Sequence, residues 1–407
     1  MAPAATPLLH AVPGVTLAAA ETNYRYRGRP DLLLMRFAAG SVAAGVFTRS
    51  LTAGAPVLWS REALRRSGGR ISALVVNAGN ANAFTGRLGE AAVGRMGQAL
   101  AGAANCPEEE ILQASTGVIG EPLDAERLVP FLPQLMEIEN GEAKAWHQAA
   151  EAIRTTDTFP KSASRQCMID GKTVTLTGIA KGSGMIAPDM ATMLAFVATD
   201  AGLPAVLLQG LLMRSADKSF NAITVDSDTS TSDSLVVVAT GQAGHDPIAN
   251  DADPRLQGFV SALDDLLLEL ALLVVKDGEG AQKLISITLK GAETDRAAKV
   301  IALAIANSPL VKTAIAGADA NWGRIVMAVG KAGERAERDR LSVAIGGIAV
   351  AQDGQRVEGY DEAPVARHMQ GQEIDIEVDV GVGQGQAQVW TCDLTHGYID
   401  INADYRS

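Results

Sequence analysis

The segment KGSGMIAPDMATMLAF, residues 181–196, is the most informative stretch of this sequence. It follows residues 172–179, whose alternating polar and apolar side chains predict a half-buried strand. Two glycines and a proline then predict a loop, and a second apolar run covers residues 192–197. The sequence therefore predicts two strands joined by a loop, with Thr192 at the first position of the second strand.

A threonine at this position suggests a self-cleaving peptide bond. Its hydroxyl can attack the preceding carbonyl carbon where a loop allows the backbone to adopt a strained conformation. Cleavage between Ala191 and Thr192 would leave Thr192 with a free α-amino group, so that one residue supplies both a nucleophile and a base. On spacing alone, the pattern favours a glycine-rich connection that ends in an ordinary strand threonine.

Composition sets the class of protein. The 407 residues are enough for two domains, and 47% hydrophobic residues predict a folded chain. The net charge of −12 argues against nucleic acid or an anionic membrane surface as the main partner. Strand-like and helix-like segments interleave irregularly along the chain, which predicts an α/β fold with mixed sheets.

Cysteine spacing and hydropathy indicate the cellular compartment of the protein. Cys106, Cys167 and Cys392 are far apart and odd in number, which predicts three buried thiols and no disulfide framework. The first twenty residues lack the basic start and continuous apolar core of a signal peptide. The longest apolar stretch, residues 266–275, is too short to span a bilayer. Together these features predict a soluble, cytoplasmic protein.

Two further segments carry candidate chemistry. Thr116 and Gly117 are predicted to lie in a loop after a helix-like segment, 108–113, where they can donate hydrogen bonds to an oxyanion or form an ordinary turn. Glu279 lies between two glycines after a predicted helix, 255–276. Carboxylates usually avoid the C-terminal end of a helix, so Glu279 either binds a substrate ammonium or belongs to a solvated turn.

The sequence offers little for metals or nucleotide cofactors. Residues 226–233, DSDTSTSD, are rich in oxygen ligands but lack the glycine and terminal glutamate of a calcium loop, so they predict a hydrogen-bonded turn. Neither an H-E-x-x-H motif nor a phosphate-binding glycine motif occurs. We therefore expect no metal and no cofactor. Asn321 is predicted to cap a helix that starts at Trp322.

Taken together, seven segments resemble the ornithine acetyltransferases, also called glutamate N-acetyltransferases, of arginine biosynthesis. They span nearly the whole chain and comprise NAGNANAFTG (77–86), STGVIG (115–120), KGSGMIAPDMATML (181–194), DSDTSTSDS (226–234), KDGEGAQKL (276–284), SPLVKTAIAGADANWGR (308–324) and CDLTHGYIDINADYRS (392–407). The resemblance implies transfer of an acetyl group from N2-acetyl-L-ornithine to L-glutamate without a cofactor. It leaves acetyl-CoA open as a second acetyl donor.

The same resemblance implies a fold and an assembly. The fold would be a layered α-β-β-α sandwich with mixed sheets, similar to the N-terminal-nucleophile hydrolases but differently connected. A precursor would be cut between Ala191 and Thr192 into an α chain, 1–191, and a β chain, 192–407. Two copies of each chain would form a heterotetramer.

The resemblance also implies a role for individual residues of this sequence. Thr192 resembles the nucleophile that carries the acetyl group, and Thr116 and Gly117 resemble the oxyanion-hole pair. Substrate-binding positions correspond to Thr155 (with Thr156 as the alternative), Lys181, Thr192, Glu279, Asn402 and Ser407.

The sequence also departs from the family pattern. Asp189 and Ser50 stand where asparagine is usual, Ser227 and Ser232 replace glycine and asparagine, and Ser407 replaces a terminal threonine. A β-carbon at position 227 is expected to exclude the positive-φ conformations that glycine adopts easily. These departures keep open a paralogous acyltransferase of another pathway. An uncleaved scaffold without catalytic activity is the alternative outside the enzymes.

Overall fold

The structure is a computed structural model that describes residues 1–3, 5–187 and 193–404. Ala191, Thr192 and Ser407 lie outside the described residues. The described strands are β1 (Val15–Ala20), β2 (Leu32–Phe37), β3 (Val42–Phe47), β4 (Ala73–Asn80), β5 (Ile111–Val118), β6 (Lys161–Ile169), β7 (Lys172–Lys181), β8 (Leu194–Thr199), β9 (Ser234–Ala239), β10 (Leu284–Ala292), β11 (Ser342–Ile345), β12 (Ile348–Gln352), β13 (Gln355–Arg356), β14 (Glu373–Asp379) and β15 (Gly385–Cys392).

The α-helices within the same residues are α1 (Ala55–Ser67), α2 (Gly86–Ala104), α3 (Phe131–Ile138), α4 (Ala143–Ala152), α5 (Ala205–Asp217), α6 (Gln257–Lys276), α7 (Asp295–Ala306), α8 (Pro309–Ala316), α9 (Trp322–Gly330), α10 (Glu362–Met369) and α11 (His396–Asp404). Short 3₁₀ turns cover Glu108–Glu110, Ala125–Arg127, Phe220–Ala222, Pro254–Leu256 and Arg338–Arg340.

The chain forms two compact units. The larger unit contains residues 3–221 and 228–274, and the smaller unit contains residues 1–2, 222–227 and 275–406. The larger unit includes sequence on both sides of the 191–192 bond. The division into compact units therefore differs from the division into α and β chains that the resemblance implies.

The larger unit is built on two mixed sheets, ordered β1-β2-β4-β5 and β3-β9-β8-β7-β6. The pairs β4–β5 and β8–β9 are parallel, and the other pairs are antiparallel.

Alternating side chains of β2 show how the layers pack. Leu33 and Met35 join the core shared with β8 and β9 of the second sheet, whereas Leu32 and Leu34 pack with residues of α2 and α3. On the second sheet, α5 packs against β3. The larger unit thus has the predicted α-β-β-α layering.

The smaller unit contains one six-stranded sheet, ordered β13-β12-β11-β14-β10-β15. Alternate apolar residues of β10, β11, β14 and β15 form one core with helices α7 to α10. The intervening residues of β14 are acidic and exposed (Glu373, Asp375, Glu377 and Asp379). This period-two alternation is typical of a sheet with one face buried.

Several predicted elements are confirmed, and one is wrong. The strand predicted at 172–179 is β7, and the helix predicted at 255–276 is α6. Residues 108–113, predicted to be helix-like, instead form a short 3₁₀ turn followed by β5. Ile111 and Leu112 are fully buried on opposite faces of the first sheet, and this tertiary packing outweighs the local helical pattern.

Three smaller predictions need correction or restriction. Only Cys392 of the three cysteines is buried, whereas Cys106 and Cys167 are partly exposed. Asn321 does occupy the N-cap of α9, but its side-chain amide donates to Asp319 and makes no capping bond to the helix. Within the described ranges, no single helix is long and apolar enough to cross a membrane; α7 and α8 pass such a test only as a bent pair.

Ser227 contradicts the expectation about positive φ. Its backbone lies in the left-handed region at φ +65°, and its hydroxyl donates to the Asp226 carbonyl oxygen at 2.5 Å. Serine pays a steric penalty of about 1 kcal/mol or more in this conformation, because its β-carbon crowds the backbone. The chain keeps the backbone conformation typical of glycine although it carries a serine there.

We therefore expect Ser227→Gly to stabilise the protein by about 0.5–1 kcal/mol, raising Tm by roughly 2–4 °C in a thermal denaturation experiment. Ser342→Gly is the matched control, since Ser342 lies within strand β11 of the same unit. Glycine in a strand costs about 0.5–1 kcal/mol, so the control is expected to lower Tm. Equal destabilisation by both substitutions would contradict this interpretation.

Candidate active site

Thr116 and Gly117 lie at the end of β5, not in a loop. Gly117 pairs with Gly79 of β4, and the register shifts immediately afterwards, between Gly79 and Asn80. Gly117 has φ +130°, and a β-carbon there would lie 2.3 Å from the Gly79 carbonyl carbon. Only glycine fits this close approach of two backbones. The kink turns the end of β5 away from regular pairing and fixes the position of Thr116.

A buried asparagine network holds this kink from the other strand. The Ser115 hydroxyl donates to Asn77 Oδ1 at 2.5 Å, and Asn77 Nδ2 donates to the Asn80 carbonyl oxygen at 2.8 Å. The Ala81 amide then donates to the Val118 carbonyl oxygen at 2.9 Å. The polar groups of the segment NAGNANAFTG thereby bond to one another and to β5, which makes the kink rigid.

Lys181, the last residue of β7, connects the predicted site residues. Its Nζ atom donates to Thr116 Oγ1 at 3.1 Å and to Thr155 Oγ1 at 2.7 Å. Lys181 is only 5% exposed, so its charge acts in a largely desolvated environment. Because a threonine hydroxyl that accepts a hydrogen bond still has its own proton to donate, Thr116 remains able to donate to a substrate oxygen.

Asp157 balances the positive charge around Lys181. Its Oδ1 atom accepts from Lys161 Nζ at 2.6 Å and from the Gly182 amide at 2.7 Å, and its Oδ2 atom lies 4.0 Å from Lys181 Nζ. Burial alone would raise the pKa of Asp157, but the two lysines and the Gly182 amide outweigh it and hold that pKa below its ordinary value. Asp157 therefore stays ionised and keeps Lys181 in place.

The start of β8 lies between Lys181 and Asp233. Leu194 pairs with Lys181 on one side and with Ser234, the first residue of β9, on the other. The Met193 amide donates to Asp233 Oδ1 at 2.9 Å. Thr192 is outside the described residues; Met193, which follows it, is held by Asp233, and the next residue, Leu194, pairs with Lys181.

The smaller unit holds a second group of predicted residues. Asn402 Nδ2 donates to Glu279 Oε2 at 2.8 Å and to the Tyr398 carbonyl oxygen at 3.0 Å. Gly280, at φ +73°, approaches the Tyr398 amide so closely that a β-carbon would lie 2.4 Å from it. The turn after α6 therefore packs tightly against α11, and Glu279 and Asn402 meet there.

The structure thus brings the predicted residues together in two groups. Thr116, Gly117, Thr155 and Lys181 meet in the larger unit, whereas Glu279 and Asn402 meet in the smaller one. Thr155, and not Thr156, bonds to Lys181; the Thr156 hydroxyl instead pairs with that of Ser183 at 2.6 Å.

Sequence reasoning missed two buried acids of the larger unit, Asp157 and Asp233. Asp157 directly follows Thr155-Thr156 and lies four residues before Lys161. An acidic and a basic residue this close in sequence could have indicated the ion pair. Asp233 lies inside the segment 226–233, for which the sequence predicts only a hydrogen-bonded turn.

A model of the ArgJ family matches residues 16–407 of this chain. This chain belongs to the ArgJ family. The arginine biosynthesis bifunctional protein ArgJ of Gluconobacter oxydans is 59% identical over all of this chain and 96% of its own length. The protein of that name from Rhizobium meliloti is 54% identical over all of this chain and 98% of its own.

A solved structure adds a further likeness within the ArgJ family. The crystal structure of the arginine biosynthesis bifunctional protein ArgJ from Bacillus halodurans is 40% identical, with a TM-score of 0.51. The match covers 53% of this chain and all of that chain. The family predicted from the seven segments is confirmed, as is the α/β class.

Proposed function

We propose that this protein transfers the acetyl group of N2-acetyl-L-ornithine to L-glutamate, through an acetyl ester on Thr192, as an enzyme of arginine biosynthesis. Membership of the ArgJ family supports the reaction. The observation that carries the chemistry is the contact of Lys181 Nζ with Thr116 Oγ1 beside the first residues of β8. This contact supports the proposal, because Lys181 both bonds to the Thr116 hydroxyl and pairs with Leu194, two residues after Thr192.

In the proposed reaction, the Thr192 hydroxyl attacks the acetyl carbonyl carbon of acetylornithine and its α-amino group takes the proton. The Thr116 hydroxyl and the Gly117 amide donate to the oxyanion that forms. Because Thr116 Oγ1 accepts a bond from the Lys181 ammonium, its own proton becomes a stronger donor. The C–N bond breaks, and ornithine leaves with the proton that the α-amino group held. The glutamate amine then attacks the ester carbonyl carbon, the C–O bond to Thr192 breaks, and a proton from the amine returns to the Thr192 hydroxyl. One amide replaces another, so the reaction needs no cofactor.

The remaining residues are assigned to substrate binding. We assign Glu279 to the substrate ammonium and Lys181 and Thr155 to polar groups near the reacting amide. Asn402 holds the Glu279 carboxylate at 2.8 Å, which favours a fixed position for its negative charge. Ser407 is proposed to contact substrate through its hydroxyl or terminal carboxylate.

The assembly and setting are part of the same proposal. Self-cleavage between Ala191 and Thr192 gives the α chain 1–191 and the β chain 192–407, which assemble as two of each. The substrates are soluble amino acids, which favours a cytoplasmic location for the enzyme. Acetyl-CoA is proposed as a second acetyl donor for glutamate.

The transfer is tested with purified protein, N-acetylornithine and glutamate, by following ornithine and N-acetylglutamate together. Equal amounts of both products are expected, without ATP. A parallel reaction with acetyl-CoA and glutamate tests the second donor separately. Absence of N-acetylglutamate in the first reaction, from protein that is shown to be cleaved, would contradict the proposal.

A further inference from the structure

The turn that carries Glu279 belongs to no regular element. Residues 277–283 connect α6 to β10, and within the turn the Ala281 amide donates to the Gly278 carbonyl oxygen at 2.8 Å. An irregular segment has many accessible backbone conformations, so an ordered position costs entropy. The position of the Glu279 carboxylate therefore depends on the groups to which this turn is bonded.

Asp393, the first residue after β15, holds the end of the turn. Its Oδ1 atom accepts the Gln282 amide at 2.8 Å and the Lys283 amide at 3.0 Å. Its own amide donates to the Lys283 carbonyl oxygen at 3.2 Å, and its side chain is buried. These bonds extend the β10–β15 pairing beyond its terminal pair, Leu284 and Cys392, so the end of the turn is fixed to the sheet.

Thr395 holds the turn at the residue next to Glu279. Its Oγ1 atom donates to the Gly280 carbonyl oxygen at 2.7 Å and accepts the Gly397 amide at 3.1 Å. Gly397 lies in the first turn of α11. A single hydroxyl group is thus bonded on one side to the Glu279 turn and on the other side to the helix that carries Asn402.

The side chains of Glu279 and Asn402 meet where these two segments are joined. Asn402 Nδ2 donates to Glu279 Oε2 at 2.8 Å, although the two residues are 123 positions apart in sequence. Glu279 directly precedes Gly280, and Asn402 lies on the helix that Thr395 joins to the turn. The backbone bonds of the Thr395 hydroxyl therefore help to set the position of the Glu279 carboxylate.

We propose that Thr395 is a positioning residue for recognition of the substrate ammonium. This inference rests on the proposed function, in which Glu279 binds that ammonium. Thr395 acts through Glu279: its hydroxyl fixes the turn relative to α11, so the carboxylate is in place before the substrate arrives. A group that is already ordered binds its partner without a further loss of conformational entropy.

The test uses two acetyl donors that differ in one charge. N2-acetyl-L-ornithine carries one ammonium, on its δ-carbon, whereas N2-acetyl-L-norvaline has the same carbon chain without it. Both donors compete in one reaction with glutamate, and the released ornithine and norvaline give the ratio of the two kcat/KM values. This ratio is independent of the fraction of folded enzyme, so it separates positioning from a loss of folded protein.

We expect the wild type to favour acetylornithine about ten- to a hundredfold, which is the effect of a hydrogen bond to a charged group. Thr395→Val should lower this preference at least about threefold, because the carboxylate is no longer preorganised. Thr395→Ser keeps the hydroxyl and should retain the wild-type preference. Glu279→Gln should abolish the preference, and adding T395V to E279Q should change it no further, since the two residues act together.

Thr313→Val is the matched control. Thr313 lies on α8 of the same unit, and its Oγ1 atom also donates to a backbone carbonyl oxygen, that of Pro309, at 2.7 Å. It accepts from Arg324 at 3.3 Å and makes no printed bond to the Glu279 turn. The T313V enzyme is expected to keep the wild-type preference for acetylornithine.

The outcomes separate this inference from the proposed function. A wild-type preference in T395V, an equal fall in T313V or T395S, or a further fall in the E279Q/T395V enzyme would overturn the inference. Thr395→Ala removes the hydroxyl without added volume and gives the same test where T395V does not fold. A wild type without the preference, or an E279Q enzyme that keeps it, contradicts the assignment of Glu279 in the proposed function. A preference that depends on Glu279 but not on Thr395 contradicts the inference alone.

Discussion

Thr192→Ala is expected to leave the protein as one uncut chain without acetyl transfer. Alanine has no hydroxyl, so it can neither attack the preceding carbonyl carbon nor carry the acetyl group. Intact-mass analysis of purified protein should show a single species for T192A and two fragments for the wild type. Thr192→Ser keeps a hydroxyl and is the matched control, which should be cut and retain measurable transfer.

The same experiment separates self-cleavage from processing by another protein. A T192A chain that is cut between residues 191 and 192 would show that a protease makes the cut. Uncut wild-type protein with no transfer would instead favour the scaffold alternative.

Thr116→Val is expected to lower kcat about a hundred- to a thousand-fold, because valine keeps the shape of threonine but cannot donate to the oxyanion. The KM for N-acetylornithine should change much less, since this bond forms mainly in the transition state. Steady-state kinetics on cleaved protein measure both parameters.

Thr156→Val is the matched control for the expected fall in kcat of Thr116→Val. Thr156 is a neighbouring threonine whose hydroxyl bonds to Ser183 and not to Lys181. We expect the T156V enzyme to keep a kcat within a few-fold of that of the wild type. A T116V enzyme with normal kcat would exclude the Thr116 hydroxyl from the oxyanion hole.

Local pattern predicted the elements on which the site is built. The alternation at 172–179 predicted β7, and the residue types of segment 181–196 pointed to Thr192, whereas Lys181 was implied only by the resemblance. Both signals are short-range, because strand periodicity and loop composition are read within a few residues.

The contacts that assemble the site are long-range and were not predictable in this way. Lys181 meets Thr116 across 65 residues of sequence, and Met193 meets Asp233 across 40. Sheet order decides the Met193–Asp233 contact, since β8 lies beside β9, whereas the Lys181–Thr116 contact joins strands of the two stacked sheets of the larger unit. Local periodicity carries no information on strand order or on the stacking of sheets, although the seven segments identified the family.

Thr116 shows how tertiary packing changed a local prediction. Residues 108–113 carry three consecutive glutamates that favour a helical start, yet these form only a 3₁₀ turn. Ile111 then enters the sheet beside Ala73 of β4 and carries Thr116 to the strand end. Residue roles taken from the resemblance depend on residue identity and not on the predicted element, so this incorrect secondary-structure prediction leaves them unchanged as predictions.

The acetyl ester on Thr192 is the central claim, and a quench experiment tests it most directly. Cleaved protein is mixed with N-acetylornithine in the absence of glutamate, denatured with acid, and its two chains are weighed. The β chain is expected to gain the mass of one acetyl group, located on its first residue by peptide mapping and removed when glutamate is added before the quench. An unlabelled β chain from protein that still transfers acetyl groups, together with intersecting double-reciprocal plots, would contradict the account.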